Sequence, residues 1–234
     1  MTRWFRLAAW AAVLNVALLS AGGVAAQDQR QNEPGKFDFY VLSLSWSPSY
    51  CEASAERRPE RSRPDPQCGP RPYSFVVHGL WPQYENGFPE FCQVPAPRLN
   101  RDLVSSMLDL MPAPRLIFNE WDKHGTCSGL SPNAYFETVR KARALVKIPD
   151  AYVAPSATLT VTPDEVEDAF VKANPGLARD GVAVTCDSRR LGEVRICLSK
   201  DFSFRSCPEI DTRACRREQV VMPPVRGGNA ALAR

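Results

Sequence analysis

The chain has 234 residues, 44% of them hydrophobic and 24% charged, a composition that belongs to a folded globular protein and excludes disordered and collagen-like classes. Its 29 basic and 26 acidic residues leave a formal charge of only +3, and two of those cations, Arg3 and Arg6, fall in the first few residues. A protein that held nucleic acid through bulk charge would be far more basic, so any nucleic-acid chemistry must sit in a local site.

Residues 1–26 carry Arg3 and Arg6, no acid, an apolar stretch from Leu7 to Leu19 and the small residues Val24-Ala25-Ala26. This is the pattern of a secretory signal cleaved before Gln27. No later segment approaches the roughly 20 apolar residues that span a bilayer, so the mature protein is expected to be soluble and either secreted or periplasmic. Phe37, Phe39 and Val41 alternate with Asp38 and Tyr40 and predict a strand. The Arg- and Pro-crowded stretch from Ala53 to Pro72 predicts an exposed loop, and Ser74 to Val77 a short second strand. Ser131-Pro132 caps a helix whose apolar positions Tyr135, Phe136, Val139, Ala142 and Val146 recur at helical spacing. Thr162-Pro163-Asp164-Glu165 opens another with a capping box, and Pro175-Gly176 ends it. Val182 and Val184, then Val194, Ile196 and Leu198, flank a polar turn around Gly192 and predict a hairpin. There is no internal repeat and no long linker. The expectation is one α+β domain over 27–222, with a disordered tail over 223–234.

Eight cysteines follow the leader: Cys51, Cys68, Cys92, Cys127, Cys186, Cys197, Cys207 and Cys215. An even number behind an export signal implies disulfides in an oxidising compartment, although these positions alone do not choose among the pairings. A zinc site is the weaker reading, because no Cys-x-x-Cys pair occurs. Arginine far outnumbers lysine and there is no Asn-x-Ser/Thr acceptor, both of which lean toward a bacterial product.

The chain holds only two histidines, and each has a distinctive setting. His78 follows Phe75-Val76-Val77 and precedes Gly79-Leu80-Trp81-Pro82, so it should emerge at a strand end where the chain turns at glycine. His124 lies in Asn119-Glu120-Trp121-Asp122-Lys123-His124-Gly125-Thr126-Cys127. On a helix, Glu120, Lys123 and His124 share one face, and Gly125 is available to end it. Each residue has a plainer explanation. A histidine can be a hydrogen-bonded structural residue, Glu120 with His124 a simple helix pair, and Trp81 a core aromatic. Two histidines with Glu120 could also ligate a metal, but the spacing is not that of His-Glu-x-x-His. General acid–base catalysis suits them better, since an imidazole near its ordinary pKa serves as base in one copy and acid in the other. A lysine and a carboxylate beside them could stabilise a phosphorane-like transition state.

The segments Phe75 to Pro82 (FVVHGLWP) and Glu120 to Cys127 (EWDKHGTC) resemble the two active-site signatures of the T2 family of ribonucleases, in the same order. The similarity runs from Ser45-Trp46-Ser47-Pro48 through the cysteine-rich end. The resemblance implies an α+β fold, an antiparallel sheet with helices packed around it, stapled by disulfides into a single domain. It also implies cleavage of single-stranded RNA without metal or cofactor. On these motif positions His78 would be the general acid for the leaving 5′ oxygen and His124 the base for the ribose 2′-OH. Glu120 and Lys123 would stabilise the pentacoordinate phosphorus, and Trp81 would stack the base 5′ of the cut. The products would be a 2′,3′-cyclic phosphate and then a 3′-phosphate, DNA would be left uncut, and the enzyme would act as a monomer. The resemblance with the cysteine spacing further implies the pairs Cys51–Cys68, Cys92–Cys127, Cys186–Cys215 and Cys197–Cys207. Many family members have a histidine where this chain has Asn119, which can donate a hydrogen bond to phosphate but carries no charge. Leu116 and Phe118 are the candidates for a second base pocket. The alternative reading is a catalytically silent binding protein of the same fold, against which the presence of His78, Glu120, Lys123 and His124 together argues.

Overall fold

The structure, a computed structural model, describes residues 31–57, 65–212 and 214–226; the leader-like segment and the last eight residues lie outside it. Its centre is a four-stranded antiparallel sheet in the order β2-β1-β5-β4, made of β1 (Phe39–Trp46), β2 (Phe75–Gln83), β4 (Val182–Cys186) and β5 (Leu191–Leu198). A separate ribbon pairs β3 (Leu159–Val161) with β6 (Val220–Met222). Among the described residues the helices are α1 (Ser47–Arg57), α2 (Arg101–Ser106), α3 (Pro114–Lys123), α4 (Pro132–Leu145), α5 (Pro163–Ala173) and α6 (Pro208–Thr212). This is the α+β arrangement that the scattered strand and helix signals predict.

The alternation along β1 decides where the core sits, because successive strand side chains leave on opposite faces. Tyr40, Leu42, Leu44 and Trp46 enter the main core with Ile117 and Trp121 of α3, Tyr135 and Phe136 of α4 and Phe170 of α5. Full burial of a side chain of this kind contributes about 1.5–3 kcal/mol relative to exposure. On the other face Phe39 and Val41 form a smaller cluster with Ala183, Cys197 and Ile210, and Trp81 packs against it. The next two residues of β1 on that face are Ser43 and Ser45, and the chemistry is built above them.

Several local expectations give way to tertiary contacts. The predicted loop from Ala53 begins as the last turns of α1, where Cys51 is bonded to Cys68 and Glu52 and Glu56 pair with Arg190. The second strand does not stop at Val77. It continues through His78 to Gln83, because β1 supplies a full-length partner. The hairpin turns at 187–190 instead of at Gly192, which lies within β5. The start of the tail is held in place: Trp46 donates its indole N–H to the carbonyl of Pro223 at 3.1 Å, and Val225 is buried and bonded to the carbonyl of Pro155. The disulfides are Cys51–Cys68, Cys92–Cys127, Cys186–Cys215 and Cys197–Cys207.

Candidate active site

His78 lies in mid-strand at a bulge. The β1–β2 register runs Ser43 against Gly79 and then Leu44 against Val77, so His78 is the extra residue without a partner on β1. A bulge re-aims the side chain it carries, and an edge strand such as β2 leaves room beside it. The expectation of a strand end is therefore corrected: the glycine after His78 serves packing, not a turn. A Cβ at Gly79 would overlap Glu120 Oε2 and Trp81 Nε1, so only glycine lets α3 bring its carboxylate this close to β2.

His124 is the C-cap of α3, reached after the last helical residue Lys123 and followed by a 3-10 turn over Gly125–Ser128. Trp81 stands between the two imidazoles, its ring 5.5 Å from His78 and 5.3 Å from His124. Its indole N–H donates to Glu120 Oε2 at 2.6 Å, while Glu120 Oε1 is 3.5 Å from His78 Nε2. Four of the sequence-selected residues, His78, Trp81, Glu120 and His124, are thus brought together. Lys123 stands at the edge of this group, paired with Glu90 at 3.5 Å and lying over the ring of Phe88, with its charge still felt by Glu120 and His124. Asn119 lines a cleft of about 430 Å³ beside His78, together with Ser45, Arg57, Arg115 and Leu116. Phe118 is exposed and does not line it.

The two imidazoles experience opposite electrostatics. Burial works against a charge on His78, but its hydrogen bond to Glu193 and the nearby charges of Glu193 and Glu120 outweigh this and raise its pKa. Burial acts on His124 without such compensation, and the cations Lys123 and His78 add to it, lowering its pKa to about 3. Its Nδ1 is buried without a hydrogen-bond partner, which leaves Nε2 as the ring nitrogen for chemistry. Burial also raises the pKa of the Glu120 carboxyl, against the opposing pull of His78 and Trp81. Such a site holds one imidazole biased toward its charged form, one biased toward its neutral form and, beside the first, a carboxyl whose protonation burial favours.

Three residues of this site carry no local signature. Glu193 bonds His78 Nδ1 from two strands away, and Arg195 holds Glu193 with 2.8 and 3.1 Å contacts while its guanidinium lies 5.1 Å from the centre of the Trp81 ring. Phe88, 40% exposed, has its ring 6.2 Å from His124. The one available signal is the pair of charges at alternate positions of an otherwise apolar strand, Leu191–Leu198, which marks a polar stripe on one face.

The model of the Ribonuclease T2 family matches residues 37–207 of this chain. A ribonuclease of Aeromonas hydrophila is 33% identical over 193 residues, covering 81% of this chain and 84% of that protein. Ribonuclease I of Escherichia coli is 27% identical over 230 residues, covering 82% and 86%. Among solved structures, that of RNase NT in complex with 5′-AMP superposes with a TM-score of 0.63 at 28% identity, covering 80% of this chain and 98% of the other. The match takes in both histidine-bearing segments and the strand that supports them; this chain belongs to the Ribonuclease T2 family and is an endoribonuclease.

Proposed function

We propose that the enzyme cleaves single-stranded RNA by transphosphorylation, with His124 as base and His78 as acid. The observation that carries this reading is the opposite bias of the two imidazoles on either side of Trp81. His124 takes the proton of the ribose 2′-hydroxyl on Nε2, and the 2′ oxygen attacks phosphorus. The bond from phosphorus to the 5′ oxygen breaks as His78 gives its Nε2 proton to that oxygen. This leaves a 2′,3′-cyclic phosphate. In the second stage the roles reverse: His78 takes a proton from water, the hydroxide opens the ring, and His124 returns its proton to the 2′ oxygen, giving a 3′-phosphate. A base held down to about 3 is weak in the free enzyme, but the bound phosphodiester's negative charge beside it favours the protonated form that the reaction requires.

Glu120, its pKa raised by burial, can act as a protonated donor to a phosphoryl oxygen, and Lys123 supplies charge. Lys123 has to leave Glu90, and an exposed pair of that kind contributes only about 0–1 kcal/mol, so exchanging it for phosphate costs little. Trp81 and Phe88 offer aromatic faces to the base 5′ of the cut, and Asn119 an amide to the phosphate. The cleft beside His78 takes the leaving nucleoside. No metal is required by these steps. Export by the leader into an oxidising compartment is supported by the four disulfides.

The test is an RNA containing a single 2′-deoxy residue, incubated with the purified enzyme in EDTA. Cleavage is expected everywhere except at that linkage, with cyclic phosphate appearing before 3′-phosphate, and a DNA strand should survive. Cleavage at the deoxy position, or loss of all activity in EDTA, would overturn the mechanism.

A further inference from the structure

We propose that Glu193, tethered by Arg195, is the positioning residue of the acid: it grips His78 through Nδ1 so that the proton for the leaving 5′ oxygen is presented on Nε2. The proposal rests on the reading of His78 as the acid, and it deepens that reading.

The contact is built by the sheet. Glu193 is on β5 and His78 on β2, with β1 running between them. Where the two side chains must meet, β1 carries only small residues: Ser45 pairs with Glu193 on one side and Val76 on the other, and Ser43 pairs with Arg195 and Gly79. The Ser45 hydroxyl lies 3.5 Å from Glu193 Oε1, the same oxygen that meets His78 Nδ1. A second bulge adjoins the site. The β4–β5 register steps from Thr185 against Glu193 to Cys186 against Leu191, leaving Gly192 out, and the amide of Glu193 is bonded to Thr185 Oγ1 at 3.1 Å. Both ends of the His78–Glu193 contact therefore spring from strand irregularities.

The carboxylate is gripped at both oxygens. Oε1 faces His78 and Ser45, while Oε2 receives Nε and Nη2 of Arg195 at 3.1 and 2.8 Å. Its side chain is 14% exposed, where an unpartnered carboxylate would be costly. Burial pushes the Glu193 carboxyl up, but His78 and Arg195 outweigh it and hold it to about 2, so it is anionic throughout the working range. An anion at Nδ1 selects the ring orientation and places the transferable proton on Nε2, the nitrogen that faces Glu120. His124 has no counterpart, since its Nδ1 has no hydrogen-bond partner. The imidazole that must hold a proton is gripped by an anion, and the one that must stay neutral is not.

The bland explanation is that Glu193 and Arg195 form a structural ion pair that happens to touch His78. Leaving-group dependence separates the two, because an ester with a nitrophenol leaving group needs no acid. Three enzymes would be compared, Glu193→Gln, His78→Ala and the double variant, on a dinucleoside phosphate and on the matching ribonucleoside 3′-(4-nitrophenyl phosphate). Glu193→Gln should lower kcat on the dinucleoside phosphate by about 10- to 100-fold, part of the full contribution of a general acid, with KM within twofold. On the nitrophenyl ester the loss should be under threefold, and in the double variant Glu193→Gln should add nothing to His78→Ala. The alkaline limb of the pH profile should move to lower pH, since the hydrogen bond and charge of Glu193 that raise the His78 pKa are lost while the other groups around it, Glu120, Arg195, Arg115, Lys123 and His124, are unchanged. Equal losses on both substrates, or an unmoved alkaline limb, would overturn the positioning role. Equal losses for His78→Ala itself would overturn the acid assignment beneath it. Should Glu193→Gln fail to fold, Arg195→Ala, which frees the carboxylate, is expected to give the same leaving-group pattern in weaker form, and equal loss on both esters would refute it.

Discussion

Gly79→Ala is the sharpest probe of how the carboxylate is held. The backbone of Gly79 is not in the left-handed region, so alanine introduces no dihedral strain, and its only consequence is steric. The added methyl would overlap Glu120 Oε2 and Trp81 Nε1 and stand 2.9 Å from Glu120 Cδ, so the 2.6 Å hydrogen bond between the indole and the carboxyl cannot survive. Leaving a buried polar group without its partner costs about 1–3 kcal/mol. If Glu120 acts in the transition state, that loss lowers kcat by about one to two orders of magnitude. The same displacement leaves a buried carboxyl short of a partner, so the melting temperature should fall as well. Steady-state kinetics on a dinucleoside phosphate and thermal unfolding of the same preparation measure both effects. Trp81→Phe, which removes the donor, should be less than additive with Gly79→Ala, because both act on one contact. Activity within threefold of the parent, with an unchanged melting temperature, would show that Glu120 is not held through Trp81.

Four further outcomes are expected. Breaking the Cys92–Cys127 bridge, which closes a loop with a sequence separation of 35, should cost about 4 kcal/mol on the chain-entropy estimate; because Cys127 lies three residues beyond His124, activity should decline at temperatures below global unfolding. The dependence of kcat/KM on pH should be a bell whose alkaline limb, set by His78, lies above the ordinary 6.5 and whose acid limb, set by His124, lies far below it; limbs in the reverse order under His78→Ala and His124→Ala substitution would refute the assignment. The corresponding stability effects have opposite signs: the His78 contribution is complete below 6.5 and is lost as pH rises through its raised value, whereas His124 penalises folding as pH falls from 6.5 toward about 3, since the unfolded chain protonates first. Asn119→His should lower KM at mildly acid pH, where the new imidazole is charged, and unchanged kinetics there would show that the position does not reach the phosphate.

What the sequence makes legible is what depends on neighbours along the chain. The Thr162–Glu165 capping box starts α5 where expected, Ser131 caps α4, and Glu120 and Lys123 fall in the last turn of α3 with His124 as its C-cap. What stays hidden depends on partners brought from afar. The mid-strand position of His78 follows from the length of β1, the persistence of helix through Arg57 from a disulfide and two ion pairs, and the anchoring of Pro223 from the indole of Trp46. Lys123 shows the limit of helical spacing as a guide. Its backbone is placed as the pattern says, but a long side chain follows the nearest anion, here Glu90, and not the group its helix face predicts.

The same physics explains why the site is costly to fold and why it is built on a sheet. Glu120 and His124 are buried polar groups, one with its pKa raised and the other lowered by that burial, and His124 keeps an unpartnered nitrogen; each would be better solvated in the unfolded chain. A loop would relax around such groups and satisfy them with water. The strand residues that face them have no such freedom, because β1 fixes β2 and β5 by backbone hydrogen bonds on both its edges, so the positions of His78 and Glu193 are set by ladder geometry and not by their own preferences. The bulges at His78 and Gly192 then turn two side chains toward each other across a strand that the serines leave low. Disulfides at Cys51–Cys68 and Cys92–Cys127 fasten the elements on either side, restoring by covalent constraint some of the stability that the buried polar groups take away. Polar groups buried on a rigid frame give the two imidazoles opposite electrostatic biases before any substrate arrives, and that separation suits the proposed reaction, which needs one protonated and one neutral imidazole.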